Sequence, residues 1–302
     1  MIEGELLTWE EQFGELIEQV DAFLDKTLPS EETYPQSLHR AMRYSVLGRG
    51  KRLRPILVMA AARTCGTDPA LVLPTAAGIE CIHAYSLIHD DLPVMDNSDE
   101  RRGKPSCHLV FGEAIALLAG DALQALAFEL IASNGFDLGL RPQEVLRVVK
   151  EVAQACGSQG LVGGQVGDIE SQGCQPNQEM INYICSRKTG ALIQASVKAG
   201  AILARAGEDR IAVLSQYASH LGIAFQIVDD ILDLVGNPEK MGKRVGQDEA
   251  KHKATYPAAF GLEEAKRKVS KEVAAAISLL QIFGRKADLL RRIADFLLHR
   301  DH

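Results

Sequence analysis

The chain has 302 residues, of which 46% are hydrophobic and only 5% are aromatic, and its formal net charge is −7. This length suits one large domain or two modest ones, and abundant aliphatic residues with few aromatic ones favour packed helices over a β-sandwich. The acidic balance argues against a general nucleic-acid partner, and the six cysteines form no Cys-x-x-Cys pair that would suggest a zinc site or a disulfide framework.

No targeting signal is recognisable in the sequence. The N-terminus carries Glu3 and Glu5 and lacks the basic start and the long apolar core of a signal peptide. No uninterrupted apolar run reaches the roughly 18 residues needed to span a bilayer. We therefore expect a soluble, cytoplasmic protein.

Helical periodicity dominates the chain. Apolar residues recur every three or four positions between residues 9 and 26, and Pro29 then ends that element. The same pattern predicts further helices at 35–47, from after Pro55 to about Thr64, and at 74–91, 112–133, 143–156, 178–205, 209–235, 262–281 and 286–299. No stretch alternates in the manner of a strand, and no repeat or interdomain linker is present. We therefore predict a single all-α domain over residues 1–302.

One predicted helix is unusually apolar. Residues 112–133 are so rich in alanine and leucine that we expect this helix to be buried on several sides. Its apolar surface exceeds what a helix with one solvent-facing side needs, which indicates a buried core or a subunit interface. Further along the chain, Gly163-Gly164-Gln165 is typical of a helix break.

The helix at 74–91 ends in acidic residues, with Asp90 and Asp91 followed closely by Asp96. Pro93 cannot continue a helix, so the first two aspartates should lie at the helix C-terminus, which already carries partial negative charge. Two unit charges about 4 Å apart repel by roughly 4 kcal/mol at an effective dielectric constant of 20. Mg²⁺, which uses one or two carboxylates together with water and phosphate oxygens, would relieve this repulsion. Taken alone, the Asp90-Asp91 pair would fit a solvated helix end better.

A second acidic cluster lies far away in the sequence. Gln226, Asp229, Asp230 and Asp233 recur every three or four residues and therefore share one face of the helix at 209–235. Two aspartate-rich helix ends suggest a cavity with carboxylates on opposing walls.

Together these motifs resemble those of the trans-prenyltransferases. Asp90-Asp91-x-x-x-x-Asp96, followed by Arg101-Arg102-Gly103-Lys104-Pro105, resembles the first aspartate-rich motif of that family, and Asp229-Asp230-x-x-Asp233 resembles the second. Further family signatures match in the right order at Gly50–Pro55, Lys188–Gly190 and Gly242–Arg244. The resemblance covers nearly the whole chain and is closest to the bacterial farnesyl diphosphate synthases, through the segment Glu80–Pro93.

The resemblance implies a homodimer of bundles, each with long antiparallel helices around a deep central cavity, as in the isoprenoid synthase fold. It implies a head-to-tail condensation of isopentenyl diphosphate with dimethylallyl and then geranyl diphosphate, which yields farnesyl diphosphate. Three Mg²⁺ ions would grip the allylic diphosphate and stabilise its departure, and the departing diphosphate would accept the final proton. Geranyl or geranylgeranyl diphosphate is the alternative product.

The resemblance also implies roles for individual residues. In the first motif, Asp90 and Asp96 would hold two metal ions and Asp91 would support them. In the second motif, Asp229 would hold the third ion, with Asp230 and Asp233 beside it. The residues implied to contact the allylic diphosphate or the reacting carbons are Arg101, Lys188, Thr189, Gln226 and Lys243. The residues implied to form a metal-free pocket for isopentenyl diphosphate are Lys51, Arg54, His83 and Arg102. The resemblance also places Gly163-Gly164-Gln165 near the cavity.

Two of these assignments have simpler alternatives. His83 precedes Asp90 by seven residues, almost two helical turns, so the two share a face, although a histidine on an apolar helix is as often a core residue. Lys51 and Arg54 beside Gly50 would, without the acidic motifs, fit a solvated basic turn.

We expect Tyr85 to limit the length of the product. It precedes Asp90 by five residues, about 7.5 Å along the helix, and a growing tail would pass the small Ser86 before meeting it. Ordinary core packing is the alternative role for Tyr85. Asn97 and Ser98 stand where many relatives carry further aspartates, which would weaken metal affinity without removing the implied ligands.

Three other functions fit part of the pattern. A metal-dependent phosphohydrolase would use His89-Asp90, but it needs further histidine ligands that the sequence does not supply in a suitable pattern. A terpene cyclase shares the first motif type, yet normally has an Asn/Ser/Glu-type second site and no separate isopentenyl diphosphate pocket. A non-catalytic synthase subunit would be expected to have degenerate motifs, whereas both motifs are intact here.

Overall fold

The computed structural model describes residues 9–48, 50–136, 138–174, 177–236, 246 and 253–300, and most of these residues are helical. The α-helices are α1 (Trp9–Thr27), α2 (Gln36–Val46), α3 (Leu53–Thr64), α4 (Leu73–Asp90), α5 (Cys107–Phe111), α6 (Glu113–Phe136), α7 (Pro142–Cys156), α8 (Leu161–Glu170), α9 (Gln178–Ile184), α10 (Ala191–Leu203), α11 (Glu208–Val235), α12 (Tyr256–Phe260), α13 (Leu262–Leu279) and α14 (Asp288–Phe296). Two 3₁₀ segments, Pro69–Val72 and Leu280–Ala287, and one π-helical turn, Cys185–Gly190, complete the helical structure. The predicted all-α bundle is confirmed.

The apolar core is one continuous cluster of buried side chains between the central helices. Helix α3 is surrounded on all sides, and only Arg63 among its residues is not buried. Helix α10 packs against α3, α7 and α11, while α4 packs most extensively against α6. This arrangement brings the C-terminal end of α4 and the C-terminal half of α11 towards the same region of the bundle.

The structure departs from the predicted elements at three places. The helix expected at 178–205 is divided into α9, the π turn and α10. Gly163 and Gly164 do not break a helix but lie inside α8. A short antiparallel ribbon, β1 (Glu100–Arg101) with β2 (Lys104–Pro105), also interrupts the helices, although we had predicted no strand.

Helix α6 is buried on only one side, so the prediction of burial on several sides was wrong. Leu117 is 46% exposed and Leu118 is 52% exposed, and both project from the outer face of the bundle. The buried residues of α6, among them Ala119, Gly120 and Leu123, face α4. The exposed apolar face of α6 therefore needs an explanation outside the folded single chain.

Among the residues that the structure describes, three helical stretches are long and apolar enough to cross a membrane by length and composition: Pro69–Asp90, Glu113–Phe136 and Glu208–Val235. We had not expected this from the sequence, where no uninterrupted apolar run is long enough. The bundle buries 78% of the most apolar window of Pro69–Asp90 and 50% of the most apolar window of α11. For α6 the buried share is 39%.

Candidate active site

Helix α4 places the first acidic motif as predicted, because it ends at Asp90 and is capped by Asp91. The two aspartates have different partners. Arg101, on β1, donates from Nε to both carboxylate oxygens of Asp91 at 3.1 and 3.2 Å and from a terminal nitrogen to Oδ1 at 2.5 Å. Asp91 is thus a buried carboxylate held by the protein itself, and Arg101 is engaged by it.

Asp90 is a half-buried carboxylate that makes no ion pair within the described part of the chain. Burial raises the pKa of Asp90, and the neighbouring carboxylate of Asp96 raises it further, although Lys188 acts in the opposite direction. A carboxylate in this situation is stabilised in its charged form by a bound cation.

Two lysines and two aspartates form a chain of charges beside Asp90. Lys188 lies 2.6 Å from Asp168, and Lys253 lies 3.6 Å from Asp168 and 3.3 Å from Asp96. Neither Lys253 nor Asp168 was predicted from the sequence. Asp168 follows Gly164-Gln165 within α8 and Lys253 precedes α12, so neither carried a pattern of its own in the sequence.

The π turn presents Lys188 and Thr189 between the two acidic motifs. π-Helical turns are rare and are frequently found at functional sites. Gly164 makes this position possible, because a Cβ atom at residue 164 would lie 2.1 Å from the backbone nitrogen of Lys188. The glycine pair predicted to break a helix instead allows α8 to contact the π turn.

A chain of hydrogen bonds joins the π turn to α11. The Thr189 hydroxyl donates to Gln226 Oε1 at 2.5 Å, and Gln226 Nε2 donates to Asp230 Oδ1 at 2.8 Å. Asp230 also accepts the backbone N–H of Tyr256 at 3.0 Å. The structure therefore brings together Lys188, Thr189 and the second acidic motif, as the resemblance implied.

The acidic residues of the second motif differ in their exposure. Asp230 and Asp233 are buried, whereas Asp229 is only partly buried. Arg300 reaches back from the end of the chain, lies 2.6 Å from Asp229, and stacks over Phe225 at 4.7 Å. No sequence pattern indicates this contact, because Arg300 is a single basic residue after the last helix.

A separate cluster of cationic residues lies beside α3 and α4. Arg54, Arg52 and Arg102 surround one buried carboxylate, Glu80, which lies 2.8 Å from Arg52 and 3.4 Å from Arg102. The buried Nε of Arg54 has no hydrogen-bond partner among the described residues. Burial lowers the pKa of Arg54 to about 10, so it remains a cation at neutral pH. A buried guanidinium with an unused donor is a ready anion-binding group.

His83 and Lys51 belong to the same region. Burial, and then the nearby arginines led by Arg54, lower the pKa of His83 well below 6.5, so its ring is neutral at physiological pH. The carbonyl of Lys51 accepts a 2.7 Å hydrogen bond from the indole N–H of Trp9, which fixes the backbone before α3. The metal-free phosphate pocket that was predicted therefore corresponds to a region around Arg54 that is rich in positive charge.

The two residues predicted to control product length lie on the buried side of α4. Tyr85 is 5% exposed, and its hydroxyl has no hydrogen-bond partner in the described residues. Burial raises the pKa of Tyr85. Ser86 is also buried and donates to the carbonyl of His83 at 2.9 Å.

Some predicted features cannot be compared with the structure. Lys243 and the rest of Gly242–Arg244 lie outside the described residues. Among the described residues, no three His, Cys, Asp or Glu side chains converge on one metal-sized position. The arrangement instead suits cations that are each held by one or two carboxylates and completed by ligand oxygens.

Comparison with known proteins identifies the family. The sequence profile of the polyprenyl synthetase family matches residues 35–289. The farnesyl diphosphate synthase of Bacillus subtilis (strain 168) is 47% identical over 268 residues, which cover 89% of this chain and 90% of that protein. The geranylgeranyl diphosphate synthase of Cyanophora paradoxa is 42% identical over 299 residues, which cover 98% of this chain and 97% of that protein.

A solved structure agrees in fold as well as in sequence. The crystal structure of an FPP/GFPP synthase from Zymomonas mobilis is similar to this one with a TM-score of 0.84 and 39% sequence identity, over 96% of this chain and 98% of that chain. The resemblance inferred from the aspartate motifs is thereby confirmed, and this chain belongs to the polyprenyl synthetase family.

Proposed function

We propose that this protein is a farnesyl diphosphate synthase that condenses isopentenyl diphosphate with dimethylallyl diphosphate and then with geranyl diphosphate. The observation that carries the proposal is that one π turn lies beside both acidic motifs. It carries Lys188, whose charge acts on Asp90 at the end of α4, and Thr189, which is hydrogen-bonded to Gln226 on α11. By its family the chain is a trans-prenyltransferase, and its similarity to farnesyl and geranylgeranyl diphosphate synthases supports prenyl chain elongation as the activity.

The acidic residues fit Mg²⁺ by donor type and by charge. Asp90 is a half-buried carboxylate with a raised pKa and no ion pair in the described residues, and Asp96 lies close enough to raise that pKa further. In our proposal Asp90 and Asp96 hold two Mg²⁺ ions and Asp229 holds a third. When bound, these ions would supply positive charge to the diphosphate leaving group.

The protein's own residues stabilise the same leaving group. Lys188 and Lys253 present two ammonium groups, and Asp168 pairs with both of them next to Asp96. Arg101 and Lys243 belong to this group by resemblance. Thr189 uses its proton to bind Gln226, which leaves the lone pairs of the Thr189 oxygen available to the developing allylic cation.

The second substrate has a site of its own in this proposal. Arg54 and Arg102 bind the diphosphate of isopentenyl diphosphate without a metal, with Lys51 and the neutral His83 as further donors. The double bond of this substrate attacks the allylic cation, a carbon–carbon bond forms, and the departing diphosphate takes the proton that is lost. No side-chain base is required.

Product analysis tests the proposal directly. The purified chain, incubated with isopentenyl diphosphate, each allylic diphosphate in turn and Mg²⁺, should form mainly the fifteen-carbon product, and a chelator should abolish turnover. Release of phosphate without carbon–carbon bond formation would support the phosphohydrolase instead. Failure of the single chain to turn over would support a non-catalytic subunit.

Substitution of single aspartates distinguishes a role in metal binding from a general effect of losing negative charge. Asp90→Ala and Asp229→Ala should each remove most turnover. Asp209→Ala is the matched control, because Asp209 is an exposed acid in the first turn of the same α11 that carries Asp229. Turnover that survives both site substitutions would overturn the proposed metal roles.

The fifteen-carbon product is proposed on the strength of Tyr85. Its ring is buried on α4 about 7.5 Å before Asp90, where it would form the floor of the cavity for the tail. Tyr85→Ala should lengthen the product towards twenty carbons and keep turnover within about tenfold, or about 1.4 kcal/mol of barrier. An active variant that still stops at fifteen carbons would show that the floor lies elsewhere.

We also propose a cytoplasmic homodimer in which one catalytic domain spans residues 1–302. The exposed apolar side chains of α6, including Leu117 and Leu118, support the subunit interface. Nothing in the acidic composition supports a nucleic-acid partner.

A further inference from the structure

A steric floor limits product length only if its side chain is held in place. The hydroxyl of Tyr85 has no hydrogen-bond partner in the described residues, so contacts of the ring must fix its position. The aromatic partner of that ring is His89, one helical turn further along α4, with ring centroids 5.7 Å apart and an interplanar angle of 67°. This edge-to-face arrangement is a favoured aromatic geometry.

His89 is itself held by helix α6. Its Nε2 lies 3.0 Å from the carbonyl oxygen of Leu117, a contact in which the ring nitrogen donates. Gly120 gives the ring its room, because a Cβ atom at residue 120 would lie 2.1 Å from His89 Nε2 and 2.6 Å from Cδ2. The imidazole therefore occupies a fitted position between the backbone of α6 and the ring of Tyr85.

We propose that His89 is a positioning residue for product length: it holds the Tyr85 ring in the path of the growing prenyl tail. The inference rests on the proposed farnesyl product and on Tyr85 as the floor. The floor then has a second component, His89, which is anchored to α6. With His89 removed, the Tyr85 ring gains room to turn away, and longer tails are admitted.

The decisive measurement is the ratio of twenty-carbon to fifteen-carbon product. His89→Ala should raise this ratio at least about tenfold. The KM for isopentenyl diphosphate and the Mg²⁺ dependence of turnover should change by less than about threefold, since Asp90 is retained. A merely structural defect would lower turnover without changing product length. The matched control is His39→Ala, because His39 also contacts a backbone carbonyl, that of Thr33 at 2.9 Å, but lies on α2.

A second substitution keeps the test decisive if His89→Ala does not fold. His89→Gln retains a donor that reaches the Leu117 carbonyl and removes only the ring that contacts Tyr85. The product ratio of His89→Gln should rise as well. A folded His89→Gln enzyme with the wild-type ratio would overturn the proposal.

The double variant separates this inference from the proposal on which it rests. If His89 acts through Tyr85, then Tyr85→Ala/His89→Ala should give a product ratio within about twofold of that of Tyr85→Ala alone. If Tyr85→Ala lengthens the product but neither His89 variant does, the role of His89 is refuted and the Tyr85 floor stands. If Tyr85→Ala leaves the product unchanged, the floor itself is refuted, and the role of His89 is refuted with it.

Discussion

At the scale of single residues, His83 illustrates how the cationic pocket controls a protonation state. Burial and the nearby arginines lower its pKa well below 6.5, so the unfolded chain protonates this imidazole at a pH where the folded protein does not. The unfolded state then binds more protons, and the free energy of unfolding decreases as the pH falls below about 6.5. We expect His83→Gln to flatten the fall in melting temperature between about pH 7 and pH 5, measured by calorimetry. Parallel curves for the wild type and the variant would contradict this.

The two phosphate pockets give a second prediction at this scale. Arg54→Ala should raise the KM for isopentenyl diphosphate by about 10- to 100-fold, because a hydrogen bond to a charged group contributes about 1.5–3 kcal/mol. Lys188→Ala should have its main effect on the allylic substrate, since Lys188 lies beside the aspartate motifs. Initial rates with each substrate varied in turn distinguish the two.

The control for this pair is Arg54→Lys, which keeps the positive charge but removes the planar set of donors. It should recover part of the lost affinity. If Arg54→Ala and Lys188→Ala weaken both substrates equally, the pockets are not separate.

Residues in patterned motifs could be predicted from the sequence, and isolated residues could not. Asp90 stands among other acids, and Gln226 and Asp229 recur at helical spacing. The π turn that carries Lys188 and Thr189 lies beside both motifs in the structure. The charged contacts that the sequence analysis missed are made by single residues at element ends or within an apolar helix: Asp168, Lys253 and Arg300. A single charged residue on a helix or loop has the same sequence appearance whether it faces solvent or a cavity.

At the scale of secondary structure, periodicity located the helices but not their local distortions. The boundaries of α1 agree with the prediction to within one residue, and α3 ends where it was predicted to end. Helix α3 begins at Leu53, before Pro55, because proline is tolerated in the first turn of a helix. The π turn was not predicted, because one additional residue per turn hardly disturbs an apolar pattern as continuous as that of residues 191–203. The exposed face of α6 was mistaken for a buried one because alanine and leucine are compatible with a core and with an interface alike.

Gly164 gives the prediction that belongs to this scale. A methyl group at residue 164 would meet the Lys188 backbone, which cannot move aside as a flexible side chain can, so α8 and the π turn must separate. Gly164→Ala should therefore weaken the contact of Lys188 with Asp168, lower turnover at least about tenfold and raise the KM for the allylic substrate more than that for isopentenyl diphosphate.

The control is Gly14→Ala in α1, where an added Cβ atom meets nothing within 4 Å. Alanine in a helix interior is about 0.5–1 kcal/mol more favourable than glycine, so this variant should be as stable as the wild type or more stable, with unchanged kinetics. If Gly164→Ala behaves in the same way, the close approach of α8 is not needed for activity.

At the scale of the whole molecule, the outer face of α6 is the feature that the single chain does not explain. Only 39% of the most apolar window of this helix is buried in the bundle, although its length and composition would suffice to cross a membrane. Leu109, Val110, Leu117 and Leu118 are all at least 46% exposed, and they lie on α5 and the first turns of α6. A second copy of the same face would cover these side chains, since an isologous interface pairs each surface with itself.

The prediction for the whole molecule is that Leu118→Glu converts a dimer into a monomer. Burial of a leucine side chain contributes about 1.5–3 kcal/mol to the free energy of association. The dimer loses this contribution twice, because a two-fold interface contains Leu118 of both subunits. In addition, the glutamate carboxylates would have to be desolvated within an apolar interface, which is unfavourable. Light scattering at micromolar protein should give twice the chain mass of 32.8 kDa for the wild type and the chain mass itself for Leu118→Glu.

Ile282→Glu is the matched control, because Ile282 is 63% exposed on the 3₁₀ segment before α14, and this variant should remain a dimer. A wild-type mass of one chain would refute the interface, and a dimeric Leu118→Glu would show that the subunits meet through another face.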